Sequence, residues 1–249
     1  MDIIKRMIDL VICIYACHTV QKYKDQILKI NETWFNYSNK VTILYFLGGE
    51  PSEEFIDHRY IYNKDLKNDY LSASYKQYYS MKYVYENYKP KFTLCCGTDT
   101  FINVPKLLQY LSTLDSTAPS YIGGHGCMRK IGEESIYFHS GGPGFILTGG
   151  ALEKVYPLLD TIMDKWRSIC KVNNVEYLVT ACDVGMGYFA SKLELSIIKA
   201  DGFHHCNFHG IPCCREKINM KDILSCHLMT LKDFDEFNTT LKKNNFFIE

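Results

Sequence analysis

The sequence predicts an α/β fold with a mainly parallel central sheet flanked by helices, and two observations carry that reading. Short apolar runs of strand length recur at Leu10 to Cys17, Val41 to Leu47 and Phe92 to Cys96. Between them lie segments whose apolar residues repeat at helical spacing, so strand and helix alternate along the first hundred residues.

The first run, Leu10-Val-Ile-Cys-Ile-Tyr-Ala-Cys17, is continuous and rich in β-branched residues, as a parallel strand covered on both faces requires. It belongs to the apolar stretch Met7 to Cys17, the one candidate for a targeting or spanning segment. That stretch is far shorter than the roughly 20 residues of a membrane helix and contains Asp9. Lys22 to Phe35 follows as a helix, with Tyr23, Ile27, Ile30 and Trp34 on one face. Val41 to Leu47 is the second strand, closed by Gly48-Gly49, and the unit implies a right-handed crossover. A second helix is expected from about Ser74 to Tyr88, stopped by Pro90 before the strand Phe92 to Cys96. The chain then runs Cys96-Gly-Thr-Asp99-Thr-Phe-Ile-Asn103 into a helix, Pro105 to Leu111, which Asn103 could cap. This places Asp99 just past the carboxyl end of a strand, where open α/β sheets bind ligands.

The second half is richer in glycine and histidine. It holds Tyr121-Ile-Gly-Gly124, Ser140-Gly-Gly-Pro-Gly-Phe145, a helix expected from about Ala151 to Trp166, Asp183-Val-Gly-Met-Gly187, and a His/Cys cluster from His204 to Cys214. Nothing reads as a repeat or linker, so residues 1–249 are expected to form one domain with halves at about 1–104 and 105–249.

With 249 residues, 47% of them hydrophobic, the chain can bury a sizeable core. Twenty-eight Lys and Arg balance twenty-eight Asp and Glu, which leaves no basic field to attract nucleic acid. The eleven cysteines, several inside apolar runs, read as reduced core thiols, and the sequons at Asn31, Asn36 and Asn238 read as chance matches. A cytoplasmic protein without a membrane span is the expectation.

Four segments carry the chemistry, and each has a plainer reading beside the functional one. Asp99, flanked by Gly97 and Thr98, can hold a hard cation or simply cap a turn. The glycines of Ser140 to Phe145 let backbone approach a ligand closely or mark a turn. Asp183 can act as a base or cap a helix beginning near Gly185. His227, in Leu224-Ser-Cys-His-Leu-Met229, can ligate a metal or bond structurally.

In this order the four segments resemble the Fringe and core-1 β-1,3-galactosyltransferase family across nearly the whole chain. Phe92 to Val104 resembles the family segment in which a strand leads into Asp-Asp-Asp-(Asn/Thr)-(Tyr/Phe)-Val-Asn-Val, with Asp99 on the third aspartate. Phe138 to Leu147 resembles its Gly-Gly-(Ala/Pro)-Gly loop, Ala181 to Gly187 its acidic Asp-Val-x-x-Gly segment, and Leu224 to Met229 its Ser-Phe-His-Tyr-Val stretch. Trp34 in the first helix and Lys76 ahead of the second also fall at familiar places.

The resemblance implies a GT-A type fold and an inverting transfer from a UDP-sugar to a hydroxyl of a glycan or glycoprotein. Its sugar could be galactose, N-acetylglucosamine, glucose or xylose. Asp183 takes the position of the catalytic base. Asp99 and His227 take those of the ligands to Mn²⁺ or Mg²⁺. Tyr15, Lys76, Thr98, Asp99, Gly141 and Gly142 are expected around the donor. Residues 1–104 would then bind the nucleotide sugar and residues 105–249 the acceptor. The chain departs from the pattern where Gly97 and Thr98 replace the first two aspartates and Cys182 replaces the acidic neighbour of the base. The missing secretory anchor departs from Golgi members and points to a microbial or viral source. The alternatives are a catalytically impaired nucleotide-sugar binder and a zinc module clamped by His204, His205, Cys206, His209, Cys213 and Cys214.

Overall fold

The computed structural model describes residues 8–36, 41–209 and 218–244. Its first half contains β1 (Leu10–Tyr15), α1 (Gln21–Glu32), β2 (Thr42–Gly48), β3 (Tyr60–Asn63), α2 (Tyr70–Asn87), β4 (Phe92–Cys96), β5 (Phe101–Ile102) and α3 (Val104–Leu111). The second half adds β6 (Ser120–Gly123), β7 (Gly126–Ile131), β8 (Glu134–His139), β9 (Phe145–Thr148), α4 (Gly149–Val155), α5 (Ile162–Val172) and α6 (Cys182–Lys192). It closes with β10 (Ser196–Lys199), β11 (Phe203–His204), β12 (Ser225–Cys226) and α7 (Leu231–Lys243).

Seven strands form the central sheet in the order β10-β6-β9-β4-β1-β2-β3. All neighbours run parallel except β9, which lies antiparallel between β4 and β6. The expected mainly parallel α/β architecture is the one observed. Strand β1 is apolar throughout because it is covered on both faces. Leu10, Ile12 and Ile14 enter the core that holds Trp34, Leu107 and Phe237. Val11 and Cys13 enter the opposite core, which holds Met81, Leu152 and Trp166. Helices α1, α3 and α7 therefore lie on one side of the sheet, and α2, α4, α5 and α6 on the other.

Two helices differ from the sequence expectation. The second begins at Tyr70, four residues before Ser74, because the Asp69 carboxylate accepts a hydrogen bond from the Ser72 N–H at 2.8 Å and caps it. Lys76 lies inside this helix and not ahead of it. The single helix expected from Ala151 to Trp166 is divided: α4 ends at Val155, a 3₁₀ turn spans Tyr156–Leu158, and α5 starts at Ile162. Pro157 has no N–H to continue the ladder, so the break falls there. Asn103 does cap α3, accepting from the Lys106 N–H at 3.4 Å.

Two of the sequons are built into the fold. Asn31 bonds the hydroxyls of Tyr45 and Tyr60, and Asn238 is buried. Cys13, Cys17, Cys95, Cys96, Cys127, Cys170, Cys182 and Cys226 are free thiols. Cys206 departs from the expectation of reduced thiols, because it is disulfide-bonded. Among the described residues no helix is long and apolar enough to cross a membrane.

Candidate active site

The topology collects distant segments at one edge of the sheet. Strands β1 and β4 run parallel, with Ile14 paired to Cys96, so the segments that follow them leave side by side. Strand β9 runs the opposite way and pairs Phe145 with Cys95, which brings the preceding loop, residues 140–144, to the same edge. Strand β12 pairs antiparallel with β5, Cys226 opposite Phe101, and so delivers His227 beside Asp99. The Met229 N–H locks this approach by donating to the Asp99 carbonyl at 3.1 Å. Helix α2 fixes the segment leading into α6. The Ser74 hydroxyl donates to the Thr180 carbonyl at 3.2 Å, and Gln77 Nε2 and the Tyr78 hydroxyl donate to the Cys182 carbonyl at 3.3 and 3.4 Å.

These segments enclose a cavity of about 630 Å³, within the size range of small-molecule sites. Tyr15, Lys76, Thr98, Asp99, Gly141, Gly142, Asp183 and His227, the positions singled out from the sequence, all line it.

His227 Nε2 lies 3.4 Å from Asp99 Oδ2. Burial pushes the Asp99 carboxyl up, but the hydrogen bond and charge of His227 outweigh this and hold it below its ordinary value. Gly142 backs the imidazole: a Cβ there would fall 2.2 Å from His227 Nδ1, so any side chain would displace the ring.

Asp183 does not cap α6. The N-cap is Ala181, with no side-chain cap bond, and Asp183 sits in the first turn of the helix. Its Oδ2 accepts from the Gly141 N–H at 3.0 Å and its Oδ1 from the Val184 N–H at 2.9 Å. The glycine loop thus orients this carboxylate as well as the histidine, and a Cβ at Gly141 would fall 2.9 Å from Asp183 Cβ.

The remaining positions differ in what they offer a ligand. Thr98 turns its hydroxyl inward to donate to Gln26 Oε1 at 2.6 Å and is buried. Burial pushes the Tyr15 phenol well above its ordinary value, which keeps it a neutral donor. Enclosure of the Cys182 sulfur pushes its thiol up to about 12, so the residue beside Asp183 brings no charge.

The Fringe-like family model matches residues 7–230 of the chain. The chain belongs to the Fringe-like family. As a member it is a glycosyltransferase. Among solved structures, a glycosyltransferase involved in the glycosylation of the major capsid of PBCV-1 is similar at 15% identity with a TM-score of 0.52, over 93% of this chain and 99% of that one. The apo-form glycosyltransferase GlyE of Streptococcus pneumoniae TIGR4 is similar at 12% identity with a TM-score of 0.53, over 96% of this chain and 64% of that one. At such identities the likeness speaks to the fold, which is that of the GT-A glycosyltransferases. Among curated proteins none matches.

In this Fringe-like glycosyltransferase the cavity has members that the motifs did not indicate. Asn68 and Asp69 line it from the start of α2, and Ser140, Thr180 and Tyr23 add polar groups. Asp69 carried a readable signal, a cap residue three positions before Ser72. Asn68 carried none. Of the zinc-clamp residues, Cys213 and Cys214 lie outside the described residues, and the disulfide removes Cys206 as a thiolate ligand. Among the described residues no three His, Cys, Asp or Glu form a group that could hold a metal.

Proposed function

We propose that this glycosyltransferase moves a sugar from a uridine diphosphate sugar to a hydroxyl of a glycan or glycoprotein, with inversion at the anomeric carbon. The observation that supports this best is the meeting in one cavity of two prepared groups: the twice-bonded Asp183 carboxylate and the Asp99–His227 pair. Asp183 is the general base. A carboxylate has about four lone-pair sites, and its two backbone bonds leave others to receive the acceptor proton. As that proton passes to Asp183, the acceptor oxygen forms its bond to the anomeric carbon. The bond from that carbon to the diphosphate oxygen breaks on the opposite face. One displacement turns an α-linked donor into a β-linked product.

Asp99 and His227 supply one carboxylate oxygen and one imidazole nitrogen on the same wall. Asp99 and His227 would be the protein's ligands to a divalent ion such as Mg²⁺ or Mn²⁺, which a carboxylate and an imidazole side by side could share with the donor. When bound, such an ion supplies positive charge for the departing diphosphate. The protein's own part is to hold the two ligands: Met229 and β12 fix the backbone, and Gly142 leaves room for the ring.

Calorimetry with UDP, GDP and UDP-sugars tests the donor. UDP is expected to bind at least tenfold more tightly than GDP, and at least one UDP-sugar to be slowly hydrolysed without an acceptor. Equal binding of UDP and GDP would remove the uridine assignment.

A further inference from the structure

His139, the last residue of β8, is fully buried and lies behind the cavity wall. The rings of Tyr121 and Tyr137 meet it edge-on, with centroids 4.7 and 5.3 Å away. Gly123 makes the room, since a Cβ there would fall 2.6 Å from both Cβ and Cγ of His139. Both ring nitrogens face carbonyl oxygens of the β6 segment, Nδ1 that of Gly124 at 2.9 Å and Nε2 that of Tyr121 at 3.3 Å. Carbonyls only accept, so the ring must donate. Burial pulls the imidazolium below its ordinary value, while the two carbonyls pull the other way. The ring is thus neutral at neutral pH with a single N–H, and the shorter contact assigns that proton to Nδ1.

This bond ties β8 to the central sheet where two supports of Asp183 begin. Helix α6, which carries Asp183, lies directly on β8, so closely that a Cβ at Gly187 would run into Phe138. Two residues past His139, the Gly141 N–H donates to Asp183 Oδ2 at 3.0 Å. The far half of the glycine loop has anchors of its own. The Thr100 hydroxyl donates to the Gly142 carbonyl at 2.8 Å, and the Ser225 hydroxyl to the Pro143 carbonyl at 2.7 Å. Those bonds serve the side that backs His227. On the near side, before Gly141, the Ser140 N–H reaches the His125 carbonyl only at 3.3 Å, so the His139 ring makes the shorter tie.

We infer that His139 is a positioning residue for Asp183: its Nδ1–H, donated to the Gly124 carbonyl, sets where the glycine loop starts and so where the Gly141 N–H holds the carboxylate. This rests on the proposed role of Asp183 as base and adds the group that aims it. The Asp99–His227 pair, anchored from Thr100 and Ser225, does not depend on this bond.

The test measures kcat for transfer, and binding of UDP with Mn²⁺, in wild type, His139→Phe, His139→Asn and His139→Gln, and repeats His139→Phe in Asp183→Asn. Phenylalanine keeps the ring and removes the donor. Asparagine places an amide nitrogen near the Nδ1 position, and glutamine near that of Nε2. His139→Phe is expected to lower kcat about 10- to 100-fold, as misplacement of a reacting group does, and to leave UDP and Mn²⁺ binding within about threefold. His139→Asn is expected to recover most of the rate and His139→Gln to recover little. In Asp183→Asn, where there is no base to aim, His139→Phe should cost less than about threefold more. A wild-type kcat in His139→Phe, equal losses of kcat and of UDP and Mn²⁺ binding, or a full further loss in Asp183→Asn would overturn the assignment. If His139→Phe does not fold, the other two variants decide, and equal rates in His139→Asn and His139→Gln would overturn it. Wild-type transfer by Asp183→Asn would take down the base reading and His139 with it. A loss in Asp183→Asn with none in His139→Phe removes only His139.

Discussion

Asp183→Asn is expected to slow transfer to the acceptor by about 10²- to 10⁴-fold, the usual contribution of a positioned general base. Asparagine has the same size, and its side-chain oxygen can still accept from the Gly141 N–H, so the loop and α6 should keep their places. The Val184 N–H loses its acceptor, a cost to stability of about 1–3 kcal/mol because Val184 is buried. UDP binding should change little, because asparagine can keep the bond from the Gly141 N–H that ties this position to the glycine loop. The loss should therefore fall on kcat, with the donor KM little altered. Transfer near the wild-type rate would mean that another group takes the proton.

The second large effect is expected at the Asp99–His227 pair. Asp99→Asn removes the one carboxylate of the pair, and should weaken binding of Mn²⁺ in the presence of UDP by about 10²-fold or more, with a matching loss of transfer. Electron paramagnetic resonance of Mn²⁺ reads the binding directly. Gly142→Ala should act in the same direction by a purely steric route, since its Cβ would lie 2.2 Å from His227 Nδ1 and must push the ring off its position. A loss of about 10- to 100-fold is expected there. Full transfer in excess chelator, unchanged in both variants, would show that the pair has no part in the reaction.

The parts of the fold that were legible in the sequence are those where one physical demand dominates. Strand β1 had to be apolar on both faces, and β2 and β4 share that demand, so all three could be read as continuous runs. The hairpin of β7 and β8 could not. Four successive residues of β7, Cys127 to Lys130, are exposed, so neither an apolar run nor a clean alternation marks it. The start of α2 was misplaced because its first turn is set by Asp69, a polar side chain whose effect lies in one hydrogen bond and not in periodicity. Among the site residues, Asp99, Asp183 and His227 were indicated by the segments that resemble the family, while their own local patterns left a cap, a turn or a structural hydrogen bond equally open. What those groups touch was not visible. Thr98 reads as a possible ligand contact, yet its hydroxyl is engaged by Gln26, a buried helix residue 72 positions away. The Lys76 environment likewise depends on a carbonyl 60 residues distant and on Asn68, contacts that no local pattern encodes.

The most direct test of the proposed reaction is the anomeric configuration of the product formed from an α-linked UDP-sugar, read from the coupling constant of its anomeric proton. With Asp183 deprotonating the acceptor in a single displacement, the product is β-linked. An α-linked product would contradict that mechanism and the role given to Asp183.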